Sequence, residues 1–331
     1  MRRGLLALRL SAVLASASCG GTLDAGYDAP RNPMLPVDGR NPVILMNDGW
    51  SDNWSGEYAA LLANNGGPPL VGIIANATKY WPDVNANATG WTNLVTAAKS
   101  SGLRNIPDVT PSAGAKLVKP ADGQIDSTTP NRSPGARLIV DLSRQLSTPV
   151  FPIVVLADAP LTDCADAYLI DHTVVDRVVV VAALGSYAAP NGIMGGPNGD
   201  LDPWADWIVA QRFRYVHVGT WYDQTSDVTA DWAASLPANA FGDWMAAKQS
   251  KIFTIKTASD QIAGLSSGMP VQFMVSAVRA VPDTSGGFDA SQGLPLVPHA
   301  DGNVWVVTSI ATPLAASYLR QWLLASTTFG H

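Results

Sequence analysis

The sequence predicts an α/β fold built on a largely parallel central sheet flanked by helices. Short apolar runs rich in Val and Ile recur along the chain with little polar alternation, as strands buried on both faces do. Helix-like stretches fall between them, and alternating strands and helices build parallel sheets. The 331-residue chain is 47% hydrophobic and only 15% charged, which suits one large packed core and excludes disordered and coiled-coil classes.

Taken in order, residues 1–19 read as an export signal of the lipoprotein type. Arg2 and Arg3 precede an apolar stretch, and the small residues Ser16-Ala17-Ser18 lead to Cys19, followed by Gly20-Gly21. Cys19 is then the lipidated first residue of the mature chain, which makes the protein exported, a lipoprotein of the cell envelope held at the membrane by its lipid alone. A plain secreted protein and an uncleaved start remain alternatives, since Arg9 interrupts the apolar run. If Cys19 is lipidated, Cys164 stands alone and no internal disulfide forms. No later stretch is long and apolar enough to span a bilayer.

Residues 20–41, rich in Gly, Asp, Pro and Asn, read as a flexible tether, and residues 42–331 as one domain. Strands are expected over 42–46, 70–75, 150–156, 177–184, 215–219, 251–255 and 304–310. Helices are expected over 54–63, 91–100, 133–146, 163–169, 204–213 and 271–281. Pro- and Gly-rich stretches near 187–202 and 282–298 read as long loops, which often cover sites. No internal repeat is present.

The formal net charge of −6, without a basic cluster, excludes nucleic acid as a partner and suits a small neutral or cationic ligand or a metal ion. The chemistry concentrates after the first strand. Pro42-Val43-Ile44-Leu45-Met46 runs into Asn47-Asp48-Gly49-Trp50-Ser51-Asp52-Asn53, and a helix follows. Open α/β sheets bind ligands outside the carboxyl ends of their strands, so this acidic turn lies where ligands lie. Asp48, Asp52 and Asn53 place several hard oxygen donors in one turn, which suits Ca²⁺ or Mg²⁺, and a carboxylate beside a metal-bound water can act as general base. The plainer alternative is that Ser51 or Asp52 caps the helix.

The turn resembles the Asp-x-Asp-Pro-Gly-x-Asp-Asp signature of the nucleoside hydrolases, which cleave N-glycosidic bonds of ribonucleosides. Met46 stands for the first Asp, Asp48 for the second, and Asp52 and Asn53 for the final pair. Further on, Leu70-Val71-Gly72-Ile73-Ile74-Ala75-Asn76 resembles the family's second strand. Ala159-Pro160-Leu161-Thr162-Asp163-Cys164-Ala165 is similar to its Gly-Pro-Leu-Thr-Asn-x-Ala. The likeness runs from about residue 42 to 281 and implies a nucleoside hydrolase-like fold with a Rossmann-like core.

The resemblance implies roles residue by residue. Asp48 would bind Ca²⁺ and take a proton from the attacking water. Asp52 would hold the sugar hydroxyls. Asn53 replaces a bidentate Asp, so affinity for Ca²⁺ should fall. Thr162 would offer its backbone carbonyl to the metal. Asn198 and Asp206 would lie near the ribose in one alignment. A second alignment takes Asp202-Pro203 as the family's downstream Asp-Pro and keeps only Asn198 there. The helix that brings a further Asp and a His in the family is expected at Pro270–Ala277 in this chain, which has neither.

His172, before a strand, and His217, inside one, read as structural, and His299 and His331 carry no readable role. Three functions follow. One is hydrolysis of a nucleoside or related riboside through a metal-activated water. Another is a non-catalytic ligand-binding lipoprotein on the same fold. A third is a hydrolase of another substrate with a site rebuilt around Asp206, Asp223 or Asp260. The base, the sugar and the oligomeric state are left open.

Overall fold

The computed structural model describes residues 36–37, 40–47, 69–77, 82–112, 114–183, 199, 201–218, 237–243, 275–290 and 294–310. Their strands are β1 (Val43–Asn47), β2 (Leu70–Ala75), β3 (Val109–Pro111), β4 (Ile153–Asp158), β5 (Val178–Ala183), β6 (Arg214–Val218), β7 (Val275–Pro282), β8 (Leu296–Pro298) and β9 (Val304–Ile310). They form one sheet in the order β3-β2-β1-β4-β5-β6-β9-β7-β8. The seven strands from β3 to β9 run parallel, while β7 lies antiparallel between β9 and β8. The expected class, a largely parallel sheet flanked by helices, is the one observed.

The parallel strands are buried on both faces, which explains their unbroken apolar sequence. Every residue of β1 and β4 is buried. Side chains alternate between faces. Ile44, Met46, Ile74, Val155 and Val180 enter a core shared with three helices: α2 (Pro134–Leu146), α3 (Thr162–Ile170) and α4 (Pro203–Arg212). A further helix, α1 (Val84–Ser100), packs on β2 and β3. The right-handed rule for crossovers puts it on the opposite face.

Each helix start has a local cause. Asp83 caps α1 by accepting from the Asn85 and Ala86 amides at 2.9 and 3.0 Å. That cap starts the helix at Val84, well ahead of the expected residue 91; the first turns are small and polar, with Asn87 and Gly90 their buried positions, and so carry no large apolar stripe. Ser133 caps α2 and Asp202 caps α4, each followed by a Pro in the first turn, where a missing N–H costs nothing. The buried face of α2 presents Ala136, Ile139, Val140 and Ser143 at helical spacing.

Two expectations are corrected. The helix expected over 271–281 is, in its described part, strand β7, paired antiparallel with β9. Its Val residues at 275, 278 and 281 favour extended backbone. The loop expected over 282–298 contains β8 at its end. Within it, Phe288 meets Trp204 and Trp207 edge-on at 5.0 and 5.5 Å and pins this segment over α4. The strand expected from residue 150 begins at Ile153, after an exposed Val150. The elements expected over 54–63 and 251–255, the loop near 187–202 in most of its length, and Cys19 lie outside the described residues. No described helix is long and apolar enough to cross a membrane.

Candidate functional site

The order β3-β2-β1-β4-β5-β6 reverses direction between β1 and β4. In open α/β sheets, the crevice at the carboxyl ends of two such strands is where ligands bind. Here β1 ends on Asn47 and β4 on Asp158, and the two are paired across the ladder. Both are buried. The sequence continues from Asn47 directly into Asp48 and the rest of the acidic stretch, which lies outside the described residues.

Neighbouring strand ends carry polar groups to the same pole. The Asn76 amide continues the β1–β2 ladder by donating to the Asn47 carbonyl at 2.8 Å, and the Ser112 amide donates to the Ala75 carbonyl at 2.8 Å. The Asn76 side chain donates from Nδ2 to the Pro160 carbonyl and to Asp163 Oδ2, both at 3.2 Å. It thereby ties the exit of β2 to the β4–α3 turn. Asn87 of α1 in turn donates to the Asn76 carbonyl at 2.8 Å.

Asp163 is wholly buried. The Ser133 hydroxyl donates to its Oδ1 at 2.6 Å. Burial pushes the carboxyl up to about 6, against the downward pull of hydrogen bonds from Ser133 and Ser112 and with a further push from Asp166. Asp166, also buried, accepts the Arg132 and Ser133 amides at 3.0 and 2.8 Å. The two carboxylates therefore grip the start of α2. Gly135 allows that approach, since a Cβ there would lie 2.7 Å from Asp163 Oδ1.

Thr162 opens α3 at the carboxyl pole, and its hydroxyl donates to Asp202 Oδ2 at 2.7 Å. Asp202 Oδ2 also accepts the Leu117 amide at 3.0 Å, and Oδ1 accepts the Ala205 amide at 3.2 Å. Desolvation raises the Asp202 carboxyl above its ordinary range, although these three bonds pull it down.

Of the residues singled out in the sequence, Thr162 and Asp206 are described. Asp48, Asp52, Asn53, Asn198 and Cys19 lie outside the described residues, as do Asp223 and Asp260. Asp206 is buried within α4, and its charge acts on Cys164 and Tyr215, whose acid groups burial already pushes well up. It is not a solvated helix residue. His217 is a buried core histidine, as expected, with Nδ1 3.0 Å from the Tyr215 hydroxyl. His172 opens a 3-10 turn, His172–Asp176, and stacks on Tyr168 at 4.5 Å.

Sequence reasoning passes over Asp158, Asp163 and Asp166. A signal existed for two of them. Asp158 closes an apolar strand run in the same way that Asn47 does, and Asp163 stands where the similar motif carries Asn. Asp166 had none beyond its helical position.

The donor chemistry at this pole suits a hard cation. The carboxylates, amides and hydroxyls are oxygen-bearing groups, and the Cys164 thiol is buried away. No three His, Cys, Asp or Glu side chains among the described residues converge to hold a metal ion. Of the ligands expected from the sequence, Asp48 and Asn53 lie outside the described residues, and the Thr162 carbonyl retains a second lone pair beyond its helix bond.

No model of a known protein family matches the chain. No curated protein matches it either. Solved structures do. An inosine-guanosine nucleoside hydrolase superposes with a TM-score of 0.60 at 16% identity, over 86% of this chain and 98% of its own. The inosine-uridine preferring nucleoside hydrolase from Bacillus anthracis gives 0.55 at 14% identity, over 86% and 99%. A nucleoside hydrolase-related protein from Saccharophagus degradans, associated with carbohydrate metabolism, gives 0.55 at 12% identity, over 88% and 72%. At such identities the likeness is one of fold.

Proposed function

We propose that this chain, which has the nucleoside hydrolase fold, hydrolyses the N-glycosidic bond of a nucleoside or a related riboside. The observation that carries the reading is the end of β1 at buried Asn47, paired with buried Asp158 at the β1–β4 reversal, where the sequence continues directly into Asp48. Asp48 takes the proton of the attacking water. That water adds to the anomeric carbon as the carbon–nitrogen bond breaks and the base leaves with the electron pair. The carboxylates of the turn stabilise the positive charge developing on the sugar.

Asp52 and Asn198 hold the sugar hydroxyls. Asp202 as the cap of α4, with Pro203 after it, supports the alignment in which Asn198 is the sugar-side amide. Asp206 then acts from inside α4 rather than at the sugar. Asp48, Asn53 and the Thr162 carbonyl hold Ca²⁺, more weakly than a set with one more carboxylate. When bound, that cation supplies Lewis acidity toward water. On this reading the protein is exported and tethered through a lipid on Cys19.

The test is ribose release from a panel of purine and pyrimidine nucleosides by the purified protein in Ca²⁺. Asp48→Asn should lower the rate by on the order of 100-fold or more, the usual worth of a general base. A wild-type protein that frees no ribose from any nucleoside overturns the reading.

A second reading, ligand binding without turnover, is favoured by β7. The segment expected to bring a late acid to the site runs instead from the carboxyl pole toward the amino pole, and its first acid, Asp283, follows it there. Calorimetric binding of nucleosides without ribose release would establish that alternative.

A further inference from the structure

We propose that Asp202 is a positioning residue for this site, one that sets Thr162 and the first turn of α3 in place for the cation. The inference rests on the reading above that the Thr162 carbonyl is a cation ligand. Three segments distant in sequence converge on this one buried carboxylate. They are the loop after β3 through the Leu117 amide, the start of α3 through the Thr162 hydroxyl, and the start of α4 through the Ala205 amide. All three lie at the carboxyl pole of the sheet.

An ordinary helix cap would need only the bond to Ala205. The two bonds at Oδ2 go beyond capping. They join the start of α4 to the loop after β3 across 85 residues of sequence and to the turn after β4 across 40. A carboxylate only accepts hydrogen bonds, so it can serve all three donors at once. An amide that still capped α4 from the Oδ1 position would turn its N–H₂ toward both the Leu117 N–H and the Thr162 hydroxyl. The Leu117 N–H cannot reverse its role. The Thr162 hydroxyl could accept from that N–H₂, but the clash with the Leu117 N–H would push the amide off both, so Thr162 would lose its fixed setting while α4 stays capped. Groups that hold a metal ligand in place commonly matter to metal affinity nearly as much as the ligands do.

The experiment measures uptake of Ca²⁺ alone by calorimetry, with terbium luminescence as a second readout. It compares the full-length wild type with Asp202→Asn, Thr162→Val, Thr162→Ser and the double variant Asp202→Asn/Thr162→Val. Folding is checked by circular dichroism. Asp202→Asn and Thr162→Val should each weaken Ca²⁺ binding by on the order of tenfold or more. Thr162→Ser, which keeps the hydroxyl, should recover most of that loss. The double variant should lose little beyond either single one, because both remove the same bond. Should Asp202→Asn fail to fold, Thr162→Val against Thr162→Ser still decides. A wild type that binds Ca²⁺ with affinity unchanged in Thr162→Val overturns the inference alone. A wild type that takes up no Ca²⁺ overturns it together with the metal part of the hydrolase reading.

Discussion

Asp163 and His217 are both wholly buried, and burial drives each toward its neutral form. For Asp163 this means a carboxyl raised to about 6. For His217 burial lowers the imidazole to about 4. The consequences for stability have opposite sign. A raised acid makes the folded state bind more protons than the unfolded chain between roughly pH 4 and 6, so its contribution is full at low pH and is lost as pH rises through 6. A lowered base makes the unfolded chain bind more protons below about 6.5, so its contribution is present at neutral pH and is lost as pH falls toward 4. Each shift is worth on the order of 2–3 kcal/mol. Urea unfolding of Asp163→Asn should therefore show a larger deficit against wild type at pH 4.5 than at pH 7. His217→Gln should show the reverse, closing on the wild type as the solution is acidified. Deficits that do not change with pH would mean that neither group is perturbed.

At the scale of elements, the parallel strands were the most legible part of the chain. β2 and β9 match their expected bounds, and β1, β5 and β6 differ by one residue at each end. An unbroken Val/Ile run buried on both faces has no other good reading. The failures share a different cause. β7 carries apolar residues whose spacing fits a helix as well as a strand, and only its pairing with β9 decides between them. β3 is three half-buried residues without a pattern. At the site, the location was legible because it follows from a strand end. The buried acid Asp166 was not, because burial of its charge depends on the Arg132 and Ser133 amides, distant in sequence. The β7 correction carries a prediction. Gly302 lies in the turn before β9, where a Cβ would run into the Ala280 carbonyl of β7. Gly302→Ala should cost about 1–3 kcal/mol of stability, as overpacking does, with the loss read in thermal unfolding. An unchanged midpoint would mean that the β7–β9 contact is looser than described.

For the molecule as a whole, charge sets the choice of ligand. The chain carries a formal net charge of −6, and buried Asp158 stands at the β1–β4 reversal, with Asp48 and Asp52 following β1 in the sequence. A phosphate on the substrate would meet that field and be repelled. If the chain hydrolyses nucleosides as proposed, a nucleoside 5′-monophosphate should have a kcat/KM at least about tenfold below that of its nucleoside, with the gap shrinking as salt is added. Equal turnover of the two would mean that the sugar's 5′ position faces open solvent.

The start of the domain has a consequence of its own. Before β1, Asn41 donates to the Pro152 carbonyl at 2.7 Å, and the Arg40 guanidinium lies 4.6 Å from the centre of the Phe151 ring. These contacts fasten the incoming chain at the amino pole, the full height of the sheet away from the polar strand ends. A protein leashed to a surface by residues 20–41 would thus hang from its blind side. Its mouth would face the medium, and it would collect what diffuses past rather than what the membrane delivers.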